Sequence, residues 1–410
     1  MAEPARAPLM TLDEALARLL AAVQPLGEVE EVSTFDARGR VLAEGVRAAL
    51  DVPPQDNSAM DGYALRAADV PAAGTVLPVS QRIPAGQVGR PLAPGSAARI
   101  FTGAQIPPGA DAVVMQEQCT AQGDAVRIDV VPEPGQSIRR RGEDVTNGAE
   151  VLSRGTLLTP QALGMAASVG AASLVVARRP RVALFSTGDE LAMPGEPLKP
   201  GAIYNSNRYA LRALIEALGG ECHDLGIVPD RLDATREALR RAAQASDLIV
   251  TSGGVSVGEE DHLRPAVQAE GRLDLWQIAI KPGKPLAFGE VRRADGGSAW
   301  FIGLPGNPVS SFVTFLLAVR PVLRALQGAP AAMPVPLRLH ADFDWPRPDK
   351  RREFLRVRRN AAGGLELFPN QGSGVLTSLV WGEGLVDNPG GHAIARGDTV
   401  AFLPFAELLS

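Results

Sequence analysis

The sequence predicts an α/β protein of several domains: a doubly wound sheet domain, preceded by a small β domain and followed by a C-terminal β sandwich or barrel. Three patterns carry that expectation. Residues 180–326 alternate short apolar runs with amphipathic stretches, the mark of strands and helices taking turns. Residues 52–144 hold short apolar runs broken by Gly and Pro at intervals of about 8–12 residues. Beyond Pro334 the text returns to short strands. At 410 residues the chain has room for several domains of roughly 100–200 residues each.

The first element is a helix. Thr11 and Glu14 form a capping-box pair, and Leu12, Leu16, Leu19, Leu20 and Val23 follow at helical spacing until Pro25 and Gly27 end the run. In the β domain, residues 112–115 and 126–131 are the clearest strands. In the α/β region, residues 182–185, 225–228, 248–250, 276–280 and 299–302 read as buried parallel strands. Between them, Leu211, Leu214, Ile215 and Leu218 mark one helix face, and Leu232, Leu239, Ala242 and Ala243 another, with Asp230 as its expected N-cap. A helix runs from Pro308 to about Leu326. The C-terminal strands fall at 337–343, 354–357, 365–368 and 399–402, after a linker at 330–336.

Composition narrows the function classes. With 43 glycines and 34 prolines, the chain exceeds the usual combined share of about 12% and must be rich in shaped loops. A net charge of −5 and only 5% aromatics argue against nucleic acid as a partner. Cys119 and Cys222 lie far apart without metal-ligand spacing, so a reducing, cytoplasmic setting is expected. No secretory signal is expected, since residues 1–10 carry no apolar core, and no membrane span is expected, since the weakly apolar stretch 163–177 falls short of the roughly 18 residues required.

Chemistry should collect where the parallel strands end, because open α/β sheets bind ligands beyond the carboxyl edge. Four loops there are unusual: 186–190 (STGDE), 251–261 (TSGGVSVGEED), 281–285 (KPGKP) and 303–308 (GLPGNP). Their glycines permit close backbone approach, and Pro308 opens a helix whose first N–H groups suit an anion. Lysine occurs only at 199, 281, 284 and 350, so two in one loop point to a wanted ammonium group. Asp189, Glu190, Glu259, Glu260 and Asp261 bring carboxylates to the same edge, as a Mg²⁺ shared with phosphates requires. Outside this domain, the runs 56–64 (DNSAMDGYA) and 137–144 (SIRRRGED) bracket the β domain, and Arg139, Arg140 and Arg141 are read either as a solvated patch or as a phosphate clamp.

Together these runs, with FTGAQIPPGADAVVMQE (101–117) and YNSN (204–207), resemble the molybdopterin molybdenumtransferase (MoeA) family, related to the C-terminal domain of gephyrin; the likeness spans about residues 9–405. The resemblance implies a molybdopterin-binding-like sheet domain (1–26 and 178–327), a linking and dimerisation layer (27–51 and 145–177), an inserted β domain (52–144) and a C-terminal β barrel (328–410). It implies insertion of molybdate into adenylylated molybdopterin, with Mg²⁺-dependent hydrolysis of the adenylate to AMP, by a homodimer whose active site crosses the subunits. Partners it suggests are molybdopterin adenylyltransferase and cofactor-accepting proteins. The alternative on the same fold is a gephyrin-like dimeric scaffold.

Carried over by position, the resemblance places molybdate at Lys281, Lys284, Pro285, Arg356 and Ser373. It places functional acids at Asp61, Asp144, Glu190, Asp230 and Asp261 with Thr102 beside them, and metal at Glu190 and Asp261. The pterin and adenylate phosphates fall to Ser252, Gly253, Gly254, Ser256, Gly258, Gly303, Pro305, Gly306, Asn307, Pro308, Arg139 and Arg140. One departure is Gln277, where many members carry Lys; lost charge there would weaken molybdate binding if that position faces the oxyanion.

Overall fold

The computed structural model describes residues 9–254 and 262–409. Ser256, Gly258, Glu259, Glu260 and Asp261 lie outside the described residues. The chain forms two compact units: one from Met1–Glu30, Gly39–Ala43 and Val176–Ser410, the other from Glu31–Arg38 and Glu44–Val175.

The first unit is built on a six-stranded sheet. Its strands are β1 (Arg181–Thr187), β2 (Glu221–Val228), β3 (Leu248–Ser252), β4 (Gly271–Gln277), β5 (Pro285–Arg292) and β6 (Ser298–Leu304), in the order β2-β1-β3-β6-β5-β4. The first four in that order are parallel; β5 runs antiparallel to both β6 and β4. Period-2 alternation sends β1 side chains to two separate cores. Val182 and Leu184 join one cluster with Leu211, Leu214 and Ile215 of α2 (Ser206–Ala217) and Leu12 and Leu19 of α1 (Leu12–Ala22). Ala183 and Phe185 join the other with Leu239 and Ala242 of α3 (Leu232–Ala245) and Ala266 and Val267 of α4 (Leu263–Glu270). Helices therefore cover both faces, and the sheet is doubly wound.

Local chemistry explains the ends. Thr11 and Glu14 close a reciprocal capping box on α1, as the sequence predicts. Asn205 caps α2 by accepting from Arg208 N. For α3 the cap position is Arg231 rather than Asp230, with no side-chain cap.

α5 (Pro308–Leu326) opens with Pro at its first turn and passes through a π segment at Phe315–Val319. An 18-residue window within its 19 residues has a mean hydropathy of 1.6, enough by length and composition to cross a bilayer, yet 89% of that window is buried inside the protein. It is the core helix of this unit, and it, not 163–177, is the long apolar stretch of the chain.

The expected parallel strand at 276–280 divides in two. Gly271–Gln277 is the antiparallel edge strand β4, and Ile280–Lys281 leaves the sheet to pair with the C-terminal domain. Pro285–Arg292, not anticipated as a strand, fills the gap between β4 and β6. The C-terminal domain contains β7 (Leu337–His340), β8 (Arg352–Arg359), β9 (Leu365–Leu367), β10 (Gly384–Asn388) and β11 (Thr399–Pro404). β8, β10, β11 and β7 pair in succession, and Ala341, just past β7, bridges Leu365 of β9, which returns to β8. The circuit closes, so the domain is a barrel. Phe354, Leu385 and Leu403 contribute to the same core as the sheet domain.

The second unit carries a six-stranded sheet, in spatial order Ala112–Met115, Gly62–Leu65, Ala97–Ile100, Thr75–Ile83, Ala125–Ile128 and Cys119–Gln122. Beside it are a short pair, Val46–Arg47 with Glu150–Leu152, and a helix, Pro160–Ser168, capped by Thr159.

Candidate functional site

The carboxyl ends of the parallel strands and one side of the barrel wall a single cavity of about 1000 Å³ in the first unit. From β1 come Thr187, Gly188 and Glu190; from the end of β2, Asp230; from β3, Ser252, Gly253 and Gly254; after β6, Pro305, Gly306, Asn307 and Pro308. The turn 281–285 supplies Lys281, Lys284 and Pro285, and the barrel adds Arg351, Gln371, Gly372 and Ser373. Hydrogen bonds tie these loops to one another. Asp230 N donates to Asp189 Oδ1 (3.3 Å), the Ser186 and Ser252 hydroxyls stand 3.1 Å apart, and Gly253 N donates to Leu304 O (3.1 Å). Asn207 Nδ2 donates to Gly306 O at 2.7 Å.

Two glycines are required where they stand. Gly253 has φ +90°, and a Cβ there would lie 2.9 Å from Thr187 O. Gly283 has φ +105°, and a Cβ would fall on Thr314 Oγ1, so the lysine turn packs against α5 in a way only glycine permits.

The cations are not equivalent. Lys281 Nζ lies 3.2 Å from Glu353 Oε1 and 3.6 Å from Asp349 Oδ2. Lys284 makes no ion pair with a described residue and holds its loop through its carbonyl, which accepts from Ile278 N at 2.8 Å. Arg351 grips Asp349 with Nε (2.9 Å) and Nη2 (2.8 Å). That guanidinium, with the Arg351 amide and Lys281, holds the Asp349 carboxyl well below its ordinary value despite partial burial.

Arg356 is wholly buried and lies behind the cavity wall, not on it. Its Nε donates to Ser378 Oγ (3.1 Å), Nη1 to Phe354 O (3.3 Å) and Nη2 to Gly372 O (3.2 Å), while Gln371 brackets its backbone on both sides. Burial without a carboxylate lowers its pKa to about 10. The guanidinium thus anchors the strand end and the loop that presents Ser373, whose carbonyl accepts from Val309 N at 3.0 Å.

Of the residues expected from sequence, Glu190, Asp230, Ser252, Gly253, Gly254, Lys281, Lys284, Pro285, Pro305, Gly306, Asn307, Pro308 and Ser373 meet in this cavity. Gly303 does not, because β6 continues through Leu304 and Gly303 sits in the ladder between Thr251 and Ala287. Gln277 ends β4, is exposed and is not among the lining residues.

Asp61, Thr102, Arg139, Arg140 and Asp144 belong to the second unit. There Thr102 donates to Asp61 Oδ1 from its amide (2.8 Å) and its hydroxyl (2.7 Å), which lowers the Asp61 pKa, the amide contributing most. Arg140 pairs with Asp56 at 2.7 Å and Arg141 with Asp51 at 2.5 Å; Arg139 is exposed and lies in the short strand opposite Asn57. Two of the three arginines are therefore engaged by neighbouring acids.

Residues given no role at the outset also line the cavity: Tyr204, Asn205, Asn207 and Arg351. The YNSN run was the available signal for the first three. Asn205 is buried, with Oδ1 used as the α2 cap and Nδ2 without a hydrogen-bond partner among the described residues.

The arrangement can hold an oxyanion against ammonium groups and a hydroxyl, beside carboxylates and the N-terminal turn of α5. The profile of the MoeA N-terminal region (domain I and II) matches residues 10–170, that of a probable molybdopterin binding domain residues 183–325, and that of the MoeA C-terminal region (domain IV) residues 338–405. The molybdopterin molybdenumtransferase of Haemophilus influenzae is 37% identical over 98% of this chain and 100% of its own length. The chain belongs to the molybdopterin molybdenumtransferase family. It is thus an enzyme of the transferase class. The molybdopterin molybdenumtransferase of Nostoc sp. is 38% identical, covering 92% of this chain and 88% of its own. The crystal structure of the MoeA protein from Pyrococcus horikoshii superposes with a TM-score of 0.84 at 32% identity, over 96% of this chain and 99% of that one.

Proposed function

We propose that this enzyme inserts molybdate into adenylylated molybdopterin, with hydrolysis of the adenylate, so that AMP and molybdenum cofactor leave. The observation that carries the reading is the gathering of Lys281, Lys284 and Ser373 with Glu190 and Asp230 around one cavity. Molybdate and a phosphoanhydride are both anions, and their approach in a poorly solvated cleft is opposed by repulsion. Lys281, Lys284 and Arg351 offset that repulsion, and Ser373 offers a hydroxyl to an oxyanion oxygen. The glycine loops after β3 and β6 let backbone N–H groups come close to phosphate oxygens.

Mg²⁺ fits the donor set, since it is usually held by one or two carboxylates together with substrate phosphates. Glu190, on the cavity wall, and Asp261 would hold it, with Asp230 nearby. When bound it neutralises phosphate charge and eases departure of the leaving group. Among the described residues no three His, Cys, Asp or Glu side chains form a metal cluster of their own. Hydrolysis moves one water to the adenylate phosphorus, breaks the anhydride bond to molybdopterin phosphate and leaves AMP; Glu190 and Asp230 are the cavity carboxylates able to orient that water. Asp61, Thr102 and Asp144 serve the same reaction, and the protein works as a homodimer in the cytoplasm, supplied by a molybdopterin adenylyltransferase and drained by cofactor-accepting enzymes.

The test is AMP release from adenylylated molybdopterin by the purified protein with Mg²⁺, with and without molybdate. Molybdate-dependent release is expected, and its absence under conditions where a relative turns over would sink the reading. Lys284→Ala should raise the molybdate needed for half-maximal release by about tenfold or more, the scale of one lost charge-assisted hydrogen bond; an unchanged requirement removes Lys284 from the subsite.

A further inference from the structure

The oxyanion wall is backed by a buried carboxylate. Glu353, on β8, is fully buried, and its two oxygens serve two donors: Oε1 faces Lys281 Nζ at 3.2 Å, and Oε2 accepts from Trp345 Nε1 at 2.7 Å. Lys281 lines the cavity, whereas Glu353 and Trp345 do not. The ammonium therefore stands between the cavity and the carboxylate. A buried carboxylate is tolerated only when paired and hydrogen-bonded, so this pairing is a strong constraint on where Nζ sits.

The backbone supplies the same constraint. Ile280–Lys281 adds as a short parallel strand to β8, with Lys281 in register with Glu353. Three residues on, Lys284 makes no ion pair with a described residue. A lysine ammonium is ordinarily a mobile point charge on a four-carbon stem with three N–H donors. Glu353 takes one of the three donors of Lys281, and the Asp349 oxygen 3.6 Å away adds attraction from a second side. At least one N–H is left for a ligand, delivered from a fixed position.

We propose that Glu353 is a positioning residue of the oxyanion subsite: through a carboxylate shared with Trp345 it fixes the Lys281 ammonium on the cavity wall. The two lysines then have different work, Lys281 as the fixed donor that sets where the oxyanion lies and Lys284 as the mobile one that follows it. This rests on the reading that Lys281 binds the oxyanion.

The experiment measures molybdate uptake by the full-length protein in equilibrium dialysis, alongside the molybdate dependence of AMP release, with a urea melt of every variant. Glu353→Gln keeps the shape and removes the charge. It should raise half-saturating molybdate about tenfold, with a smaller change in kcat, and Lys281→Met should do the same. Because Glu353 acts through Lys281, the double variant should be no weaker than Lys281→Met alone; effects that multiply would overturn the proposal. Trp345→Phe retains the Glu353 charge and deletes one hydrogen bond, so it should shift the requirement about threefold in the same direction, and not at all in a Lys281→Met background. If Glu353→Gln fails to fold, Trp345→Phe decides, and a wild-type requirement in that variant overturns the proposal. Failure of the wild-type protein to take up molybdate sinks the underlying reading instead. Uptake by wild type with no change in any Glu353 or Trp345 variant sinks the positioning role alone.

Discussion

Asp349 does not itself line the cavity but engages two cations that do, Arg351 and Lys281, and its stabilising contribution therefore depends on its charge. Arg351 holds both its oxygens, at 2.9 and 2.8 Å, and Lys281 lies 3.6 Å away. Because the folded carboxyl titrates below its unfolded value, its contribution is fully present above about pH 3.9, the unfolded pKa, and fades as pH falls through the folded one. Asp349→Asn should cost about 1–3 kcal/mol at neutral pH in urea melts, the range for hydrogen bonds to charged groups and for unpaired partners. The difference from wild type should shrink below about pH 4; a gap that stays constant down to pH 3 would show that the charge of Asp349 is not what stabilises. At this scale the sequence revealed the lysines better than their partners. Lys281 and Lys284 stood out because lysine is scarce in the chain. Asp349 and Glu353 could not be linked to Lys281, because that pairing depends on which strand of another domain Ile280–Lys281 joins.

Among elements, those with a local periodic signal were legible and those defined by non-local pairing were not. α1 follows from its capping box and leucine spacing, and β1 and β3 from apolar runs buried on both faces. β5 escapes the sequence pattern because Pro285, Gly289, Glu290 and Arg292 dilute it; its place is set by the ladders to β4 and β6, where Gly289 packs against Arg272 O closely enough to exclude a side chain. Residues 276–280 mislead for a related reason: a run apolar at all but Gln277 looks like one strand even when its two halves belong to different sheets. The sequence shows the length of α5, but Arg320 and Arg324 interrupt and mask its apolar character; both are buried in the folded protein. One contact joins elements directly at the site. Asn207, in the first turn of α2, ties that helix to the loop after β6 through Gly306 O. Asn207→Ala should cost about 0.5–1.5 kcal/mol of stability. It should raise KM for adenylylated molybdopterin more than it lowers kcat, since the loop it steadies is proposed to seat substrate phosphates. Steady-state kinetics with an unchanged KM would assign Asn207 a purely structural role.

For the whole molecule, the decisive fact is that one unit supplies every described residue lining the cavity while a second set of expected functional residues lies in the other unit. The carboxyl-edge rule for α/β sheets located the first set from sequence, because each loop directly follows a recognisable strand. No comparable rule locates Asp61, Thr102 and Asp144: the polar runs 56–64 and 137–144 drew notice, but only the family resemblance gave these three residues a role. Within its own unit Asp61 is already organised: the amide and hydroxyl of Thr102 converge on one of its oxygens and favour the ionised form. An amide side chain can accept the same two hydrogen bonds, so Asp61→Asn removes charge while keeping the local geometry. If the cavity alone binds the oxyanion and Asp61 serves the chemical step, this variant should take up molybdate in dialysis as wild type does. Its AMP release should fall by at least about tenfold, or 1.4 kcal/mol of barrier. Loss of molybdate binding would instead place Asp61 in the oxyanion subsite, and unchanged turnover would separate the second unit's carboxylate from the chemistry altogether.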